Sequence, residues 1–361
     1  MSNITDTLTA LTADLMAFES IAERPDQLAS VINYIETYVR AIPGVFVHRY
    51  ERNEKPSLMV TLRDTHEPEI IYNAHLDVVA GRPDQFAAER RDGRIYGRGS
   101  QDMKGSTAVL LQLLRDLAAL DERPDIGFQF VSDEEIGGYD GTGHQLELGW
   151  RCKFFLTAEP TDMQVCYAHK GVMRFDVTLR GVPAHGARPW EGSNAIHALR
   201  DGLAAIEARY PTPAAPAWVT TVVPTMVRAG ESVNRLPEVV TLMIDARYIP
   251  EETPEMVLAA LQTCFPGGSV TLTPDWGVPL DSDPSDPFIA RLAATSAALV
   301  PQSGALYREH FASDARFYSS AGIPSVCFGP FGAGLHSDTE WVLAAGLTQL
   351  YEVLRRFALN D

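Results

Sequence analysis

Four apolar runs in this chain each have the length of a β-strand, and each leads to side chains that can bind a metal ion. The runs cover residues 69–74, 126–131, 154–158 and 323–328. The polar residues that follow them are His75, Asp77, Asp133, Glu134, Glu135, Glu159 and His336. In open α/β sheets, ligands bind beyond the carboxyl ends of the strands, so we expect these side chains to meet in space. The pattern predicts an α/β fold with a polar site at one edge of its sheet.

The length and charge of the chain limit its architecture and its partners. With 361 residues the chain exceeds the usual size of a single hydrophobic core, so we expect two domains. Its 30 basic and 47 acidic residues give a net charge of −17, which argues against nucleic acid or an anionic membrane as a partner. Residues 1–10 do not resemble a signal peptide, and no run approaches the ~18 apolar residues of a membrane span. We therefore expect a cytoplasmic protein.

The order of the predicted elements indicates that one domain is inserted in the other. Helical spacing over residues 11–41 and 105–120 alternates with strand-like runs, which is typical of a parallel sheet with helices on its faces. The pattern then changes to strand, helix, strand, strand, helix, strand, which is the order of the ferredoxin-like βαββαβ unit. We predict a first domain with a mixed, mostly parallel sheet, formed by residues 1–171 and 277–361, and an inserted domain formed by residues 172–276.

His75 and Asp77 are two positions apart, which places both side chains on one face of an extended strand end. The imidazole can bind a metal while the carboxylate hydrogen-bonds its other ring nitrogen and fixes the tautomer. For this pair alone, a partly buried histidine beside a loop aspartate is the alternative interpretation.

Asp102 lies in a glycine-rich loop, residues 96–105, directly before the predicted long helix. One interpretation is a helix N-cap, which stabilises a helix by ~1 kcal/mol. The three glycines favour a second interpretation, because they let the backbone pack closely and hold the carboxylate at an angle that could bridge two cations.

Glu134 and Glu135 are adjacent, so their side chains diverge and can have different roles. One can bind a metal while the other faces the substrate, where a carboxylate can move a proton. A solvated acidic turn is the alternative for this pair alone. Taken together, the two histidines and three of the carboxylates fit two zinc-type ions ~3.5–4 Å apart that share one bridging carboxylate.

The motifs around these residues resemble those of the dizinc family that contains succinyl-diaminopimelate desuccinylase, acetylornithine deacetylase, aminoacylase and glutamate carboxypeptidase. The resemblance extends over nearly the whole chain. The matching segments are His75-Leu-Asp77, Gly99-Ser-Gln-Asp-Met-Lys-Gly105, Asp133-Glu-Glu-Ile-Gly-Gly138, Ala158-Glu-Pro160 and His336. The resemblance implies a catalytic domain and, inserted in it, the lid domain of this family.

The resemblance also implies a set of metal ligands. His75 and Glu159 would bind one divalent ion. Glu135 and His336 would bind the other, and Asp102 would bridge the two. Zinc, cobalt and manganese all accept these donors, so the native metal stays open, with zinc as the expected ion.

Two further roles in the catalytic domain follow from the resemblance. Asp77 would orient His75, and Glu134 would be the general base. A water between the metals would lose a proton to Glu134 and attack an amide carbonyl, and Glu134 would then protonate the leaving amine. The family also has a cis peptide after the bridging aspartate, which would fall here between Asp102 and Met103.

In the lid, the resemblance assigns residues that contact the substrate. His185 would stabilise the developing oxyanion, commonly in the site of the partner subunit of a homodimer formed through the lid. Asn234 and Arg247 would bind a substrate carboxylate, with which a guanidinium pairs bidentately. Lys170 stands where several relatives have arginine and would contribute a point charge. Solvated surface positions are the alternative for these residues.

We therefore predict a dimetal-dependent amidohydrolase that cleaves the amide bond of an N-acyl amino acid. A desuccinylase of N-succinyl-diaminopimelate or an acetylornithine deacetylase-like enzyme is the leading hypothesis. A di- or carboxypeptidase or an aminoacylase is the alternative within the family. A metal-free scaffold protein is the alternative of another class, and the presence of all seven predicted metal-binding and catalytic residues of the first domain argues against it.

Overall fold

The computed structural model describes residues 4–274 and 276–360 as an α/β chain. The helices are α1 (Ile4–Met16), α2 (Pro25–Arg40), α3 (Gly105–Ala118), α4 (His144–Glu147), α5 (Ala195–Arg209), α6 (Pro254–Cys264), α7 (Pro287–Leu299), α8 (Ala315–Ser320) and α9 (Ala344–Leu359). The strands of the first half are β1 (Phe46–Arg52), β2 (Lys55–Thr61), β3 (Ile70–His75), β4 (Glu89–Arg91), β5 (Arg94–Tyr96), β6 (Ile126–Val131), β7 (Phe154–Thr157), β8 (Val165–His169) and β9 (Gly171–Arg180). The later strands are β10 (Thr221–Ala229), β11 (Val239–Tyr248), β12 (Ser269–Leu272), β13 (Leu280–Asp281), β14 (Leu306–Glu309), β15 (Ser325–Cys327), β16 (Gly332–Ala333) and β17 (Trp341–Leu343).

The chain forms two compact units. The first contains residues 1–168, 280–308 and 313–361, and the second contains residues 169–279 and 309–312. The short piece 309–312 joins the second unit although no sequence pattern indicated it. No helix in residues 4–274 and 276–360 has the length and hydropathy that a membrane span requires.

The main sheet of the first unit has the strand order β1-β2-β6-β3-β7-β15-β8-β13, with β14 paired to β8. Its four central strands, β6, β3, β7 and β15, are parallel, whereas β1, β2 and β8 pair antiparallel at the two sides. The central strands are buried along their whole length, because helices cover a parallel sheet on its faces. The four runs singled out in the sequence are therefore neighbouring strands that point the same way.

Helix α3 forms the centre of the helical packing on this sheet. It contacts β3 and β6 and also packs against α1 and α9. Nearly every side chain of α3 is buried, including Leu111 and Leu114. The helix begins at Gly105, so the core packing of α3 fixes the place where the glycine-rich loop that carries Asp102 ends.

The second unit is built around an antiparallel sheet with the order β10-β11-β9-β12. Side chains alternate between buried and accessible along β9 and β11, as expected for a sheet with one covered face. Phe175 and Ile244 on the covered face belong to a hydrophobic cluster that also contains Leu199 of α5 and Leu261 of α6. The element order and the sheet order together give the inserted ferredoxin-like fold predicted from the sequence.

A small antiparallel sheet with the order β16-β17-β5-β4 was not predicted from the sequence. Its strands are two or three residues long, which is too short for a detectable alternation of side chains. The pairing of β17 with β5 places Trp341 opposite Tyr96. It therefore holds the segment just after His336 against the segment just before Asp102.

Candidate metal centre

The predicted ligands of the first unit lie at the carboxyl edge of its main sheet. His75 is the last residue of β3, and Val131, its partner in register, is the last residue of β6. Glu134 and Glu135 follow β6, and Glu159 follows β7. The parallel register of these strands brings their ends to the same edge, as the sequence predicted.

Asp102 lies between the two histidines. Its Oδ1 is 3.0 Å from Nε2 of His75, and its Oδ2 is 3.2 Å from Nε2 of His336. The peptide between Asp102 and Met103 is cis, as the family resemblance implied. Each carboxylate oxygen of Asp102 thus faces a different imidazole, which is the arrangement that a bridging carboxylate requires.

Each histidine also lies near one further carboxylate. Oε1 of Glu159 is 3.7 Å from Nε2 of His75, and Oε2 of Glu135 is 3.3 Å from Nε2 of His336. The potential donor atoms form two groups, each within 4.8 Å: His75, Glu134 and Glu159 form one, and Asp102, Glu135 and His336 form the other. Glu134, which the resemblance makes the general base, is therefore a member of the first group, beside His75 and Glu159.

Asp77 holds the ring of His75 from the opposite side. Nδ1 of His75 donates to the backbone oxygen of Asp77 at 2.9 Å and lies 3.6 Å from its Oδ1. The other carboxylate oxygen of Asp77 accepts a hydrogen bond from the backbone N–H of Glu135 at 2.9 Å. A proton on Nδ1 leaves the lone pair of Nε2 directed towards Asp102 and Glu159, so Asp77 orients one predicted ligand and anchors another.

The electrostatics of the site reflect crowded carboxylates around two imidazoles. Burial, together with the charge of Glu159, raises the pKa of Glu134 well above its usual range. Burial likewise raises the pKa of Glu159. Burial opposes ionisation of Asp102 too, but hydrogen bonds with His336 and His75 hold its pKa well below the usual range. Hydrogen bonds with Asp102 and Glu135 raise the pKa of His336 to about 10.

This donor set fits a pair of divalent cations. Two imidazole nitrogens and several carboxylate oxygens are the ligands that zinc and similar ions accept. The raised pKa values of Glu134 and Glu159 show that burial and neighbouring negative charge disfavour their ionised forms. Positive charge between the carboxylates would relieve this cost, so the chemistry of the site matches the cofactor expected from the sequence.

Lys170 and Arg247 belong to the second unit. The side chain of Arg247 is already engaged: its Nε and Nη2 donate to the two carboxylate oxygens of Asp245 at 2.8 and 3.1 Å. Lys170 is buried, and burial, together with the charge of Arg247, lowers its pKa. The bidentate pair was not predicted from the sequence. Asp245 and Arg247 lie on the same face of one strand, but the sequence does not indicate that they pair with each other.

His185 and Asn234 also belong to the second unit and are held on paired segments. His185 forms a β-bridge with Arg235, and the N–H of Gly186 donates to the backbone oxygen of Asn234 at 2.7 Å. Both side chains are exposed. The structure therefore brings these two predicted lid residues together within their unit.

The sequence reading missed Glu340, whose side chain is 1% exposed. Its carboxylate accepts hydrogen bonds from the backbone N–H groups of Gly99, Gln101 and Asp102 and from the guanidinium of Arg98. No motif marked it, because it follows a polar loop and precedes a three-residue strand. Its proximity to Asp102 is visible only in the folded chain.

Asp133 and Asp314 were not assigned a role from the sequence. Oδ2 of Asp133 accepts hydrogen bonds from the N–H groups of Asp140 and Gly141, and Oδ2 of Asp314 accepts one from Thr142 at 2.5 Å. Burial and the charge of Asp314 raise the pKa of Asp133 to about 8, and burial raises that of Asp314 to about 6. These buried carboxylates secure the loop that follows Glu134 and Glu135.

Curated proteins with similar sequences include two succinyl-diaminopimelate desuccinylases. The protein of Ralstonia pickettii is 28% identical over 80% of both chains. The protein of Cupriavidus taiwanensis is 27% identical over 96% of this chain and 97% of that one. The second match thus extends over almost the full length of this chain and of its relative.

Solved structures show the same fold. An aminopeptidase of Bacillus cereus superposes with a TM-score of 0.81 at 17% identity, over 99% of both chains. A dinuclear metal-binding peptidase of the M20 family from Bacillus subtilis superposes with a TM-score of 0.69 at 14% identity, over 99% of this chain and 98% of that one. The model of peptidase family M20/M25/M40 matches residues 71–360. The chain therefore belongs to peptidase family M20/M25/M40 and is a hydrolase.

Proposed function

We propose that this hydrolase is a dimetal-dependent amidohydrolase that cleaves the amide bond of an N-acyl amino acid. The observation that carries the proposal is the position of Asp102, whose two oxygens each face a histidine at the carboxyl edge of the sheet. Its similarity to desuccinylases over most of the chain supports N-succinyl-diaminopimelate or a related N-acyl amino acid, such as acetylornithine, as the substrate.

The proposed ligands follow from the two donor groups. His75 and Glu159 would hold one cation, and Glu135 and His336 the other, with Asp102 shared between them. Zinc is the proposed metal, and cobalt or manganese would suit the same donors. When bound, the two cations would act as a Lewis acid and make a bound water more acidic.

Glu134 is the proposed general base. It is partly buried beside His75 and Glu159, and burial raises the pKa of its carboxyl. A carboxylate in this position can take a proton from a water and deliver it to the amine that leaves when the amide bond breaks. Asp77 would act through His75 by fixing its ring orientation.

The lid residues would recognise the substrate. Arg247, Asn234 and Lys170 are proposed to bind a carboxylate of the amino acid. Because Arg247 is paired with Asp245, the substrate carboxylate would have to compete with that intramolecular partner. His185 is proposed to donate a hydrogen bond to the developing oxyanion.

A homodimer formed through the lid is part of the proposal. Strand β10 is at the edge of the lid sheet and exposes Val223, Met226 and Val227. An exposed apolar edge strand favours pairing with another chain. Such a dimer would allow His185 to act in the site of the partner subunit.

A di- or carboxypeptidase or an aminoacylase is the second candidate. The fold similarity to an aminopeptidase supports this second candidate. The same metal ligands can act on a peptide bond or on the amide bond of an N-acyl amino acid.

The proposal is tested by turnover of a panel of succinyl-, acetyl- and aminoacyl-substrates with added zinc or cobalt. We expect about two ions per chain by metal analysis and amide hydrolysis that stops with a chelator. Hydrolysis of N-succinyl-diaminopimelate or N-acetylornithine in preference to dipeptides supports the leading substrate, and the reverse supports the peptidase. Absence of both metal binding and hydrolysis would favour the metal-free scaffold.

Glu134→Ala should lower kcat about 10²–10⁴-fold, because the proton transfer would lose its positioned base. Glu134→Asp should also be slow, since the shorter side chain withdraws the carboxylate. Turnover and metal content are measured together, with Glu147→Ala as the control because Glu147 is an exposed glutamate. Near-normal turnover of Glu134→Ala with both metals retained contradicts the role.

Mixed dimers of His185→Ala and Glu134→Ala subunits test the action of His185 across the dimer. If His185 acts in the partner site, each mixed dimer has one complete site, and random pairing should restore about a quarter of the wild-type activity. The mixture is denatured and refolded together, then assayed against each variant alone. No rescue opposes the role in trans.

The stabilisation produced by the cations should grow as the pH rises from 6.5 towards 10. Hydrogen bonds with Asp102 and Glu135 raise the pKa of His336 from 6.5 to about 10, so a proton on this ring stabilises the folded chain below pH 6.5, and that contribution is lost as the pH rises to 10. A cation binds the unprotonated ring and competes with the proton.

The measurement for this pH dependence is the difference in Tm between cobalt-loaded and chelator-treated protein across that range. His66→Ala serves as the control, because His66 stacks on Trp150 and is not among the proposed ligands. A difference in Tm that is independent of pH would show that the ring of His336 does not exchange a proton for metal.

A further inference from the structure

Glu340 saturates both of its carboxylate oxygens with hydrogen bonds. Oε1 accepts from the N–H groups of Gln101 at 3.0 Å and of Asp102 at 3.2 Å. Oε2 accepts from the N–H of Gly99 at 3.0 Å and from Nη1 of Arg98 at 2.8 Å. Three backbone N–H groups and one guanidinium of the loop that carries Asp102 thus donate to one buried side chain.

The same residue also ends the loop that carries His336. Glu340 comes four positions after His336 and directly before β17, and its backbone oxygen accepts a hydrogen bond from the N–H of Gly97 at 3.0 Å. Asp102 and His336 are 234 positions apart in the chain, yet their side chains approach within 3.2 Å. Glu340 is therefore the point at which the two loops are joined close to the site.

We propose that Glu340 is a positioning residue for metal binding. It holds the loop of Asp102 and the loop of His336 in fixed relative positions, so that the side chains of Asp102 and His336 can ligate one cation. The proposal rests on the proposed dimetal function. Glu340 acts through Asp102 and His336, and its own oxygens are fully used by the loop.

The hydrogen-bond chemistry shows why no other side chain would serve. All four contacts of Glu340 are donated to it, so the site needs an acceptor at both oxygens. The amide NH₂ of a glutamine would face two donors in either orientation: the N–H groups of Gln101 and Asp102, or the N–H of Gly99 and the guanidinium of Arg98. Aspartate would be too short by one methylene. Because Arg98 is 3% exposed, its guanidinium also depends on Glu340 for a buried counter-charge.

The test is Glu340→Gln, in which Zn²⁺ binding is measured by calorimetric titration of chelator-treated protein and by metal analysis. Loss of a residue that orients metal ligands costs about 10–100-fold in metal affinity. We therefore expect the ion proposed to bind Asp102, Glu135 and His336 to bind more weakly by that factor. With Co²⁺ as the probe, the visible absorption of the variant should change, because the coordination geometry of Asp102 and His336 is altered.

Ser282→Ala is the matched structural control. Ser282 is buried, donates to the backbone oxygen of Ser325 at 2.7 Å and accepts from its N–H at 2.9 Å, at the end of β15 opposite the site. It should lower Tm while leaving Zn²⁺ affinity and the Co²⁺ spectrum unchanged. A purely structural role for Glu340 predicts the same result for Glu340→Gln, and that result would overturn the inference.

Arg98→Lys keeps the test decisive if Glu340→Gln does not fold. Lysine retains a positive charge for Oε2 but loses the planar guanidinium, so we expect a smaller loss of Zn²⁺ affinity, about 3–10-fold. Wild-type affinity in this variant would contradict the inference. The two proposals fail separately: wild-type protein that binds no Zn²⁺ overturns both, whereas a wild type that binds two ions beside variants that bind equally well overturns only the role of Glu340.

Discussion

The shared position of Asp102 between two histidines is the contact on which the candidate site depends. Its oxygens face His75 and His336 at 3.0 and 3.2 Å, so one carboxylate connects the end of a central strand with a loop near the end of the chain. The site is electrostatically costly for Glu134 and Glu159 unless positive charge lies between the carboxylates, because burial and neighbouring negative charge raise the pKa of both groups. A bound cation would offset this cost, so the clustered carboxylates fit a cation site.

The main sheet explains how such distant residues meet. The strands β6, β3, β7 and β15 are parallel neighbours, so their carboxyl ends deliver side chains to one edge regardless of separation along the chain. Burial of these strands on both faces fixes their register through packing, and α3 fixes the end of the Asp102 loop. The buried strands and α3 thus position the candidate metal ligands, which lie on the strand ends and on the short loops that follow them.

Much of this arrangement could be predicted from the sequence, and the parts that could not share a physical cause. Uninterrupted apolar runs that end at His75 or Glu159 reveal buried parallel strands, and the alternation after Gly171 reveals the lid sheet. The pairing of β17 with β5 and the contacts of Glu340 join segments more than two hundred positions apart through strands too short to show periodicity. The pairing of Arg247 with Asp245 could not be predicted for a different reason. Which side chains pair on a strand face depends on the neighbours that the folded strand brings close.

The candidate metal ligands and the lid residues bear on different properties of the proposed enzyme, namely its reaction and its choice of substrate. The candidate metal ligands do not by themselves distinguish among substrates, since relatives of this chain are named desuccinylases and an aminopeptidase shares its fold. Choice among substrates requires polar groups that discriminate between acyl and amino-acid parts. Arg247 is paired bidentately with Asp245, so a substrate carboxylate gains from Arg247 only if it outcompetes that partner. Under the proposed function, selectivity for a carboxylate-bearing substrate would arise from the difference in free energy between the pairing of Arg247 with the substrate and its pairing with Asp245.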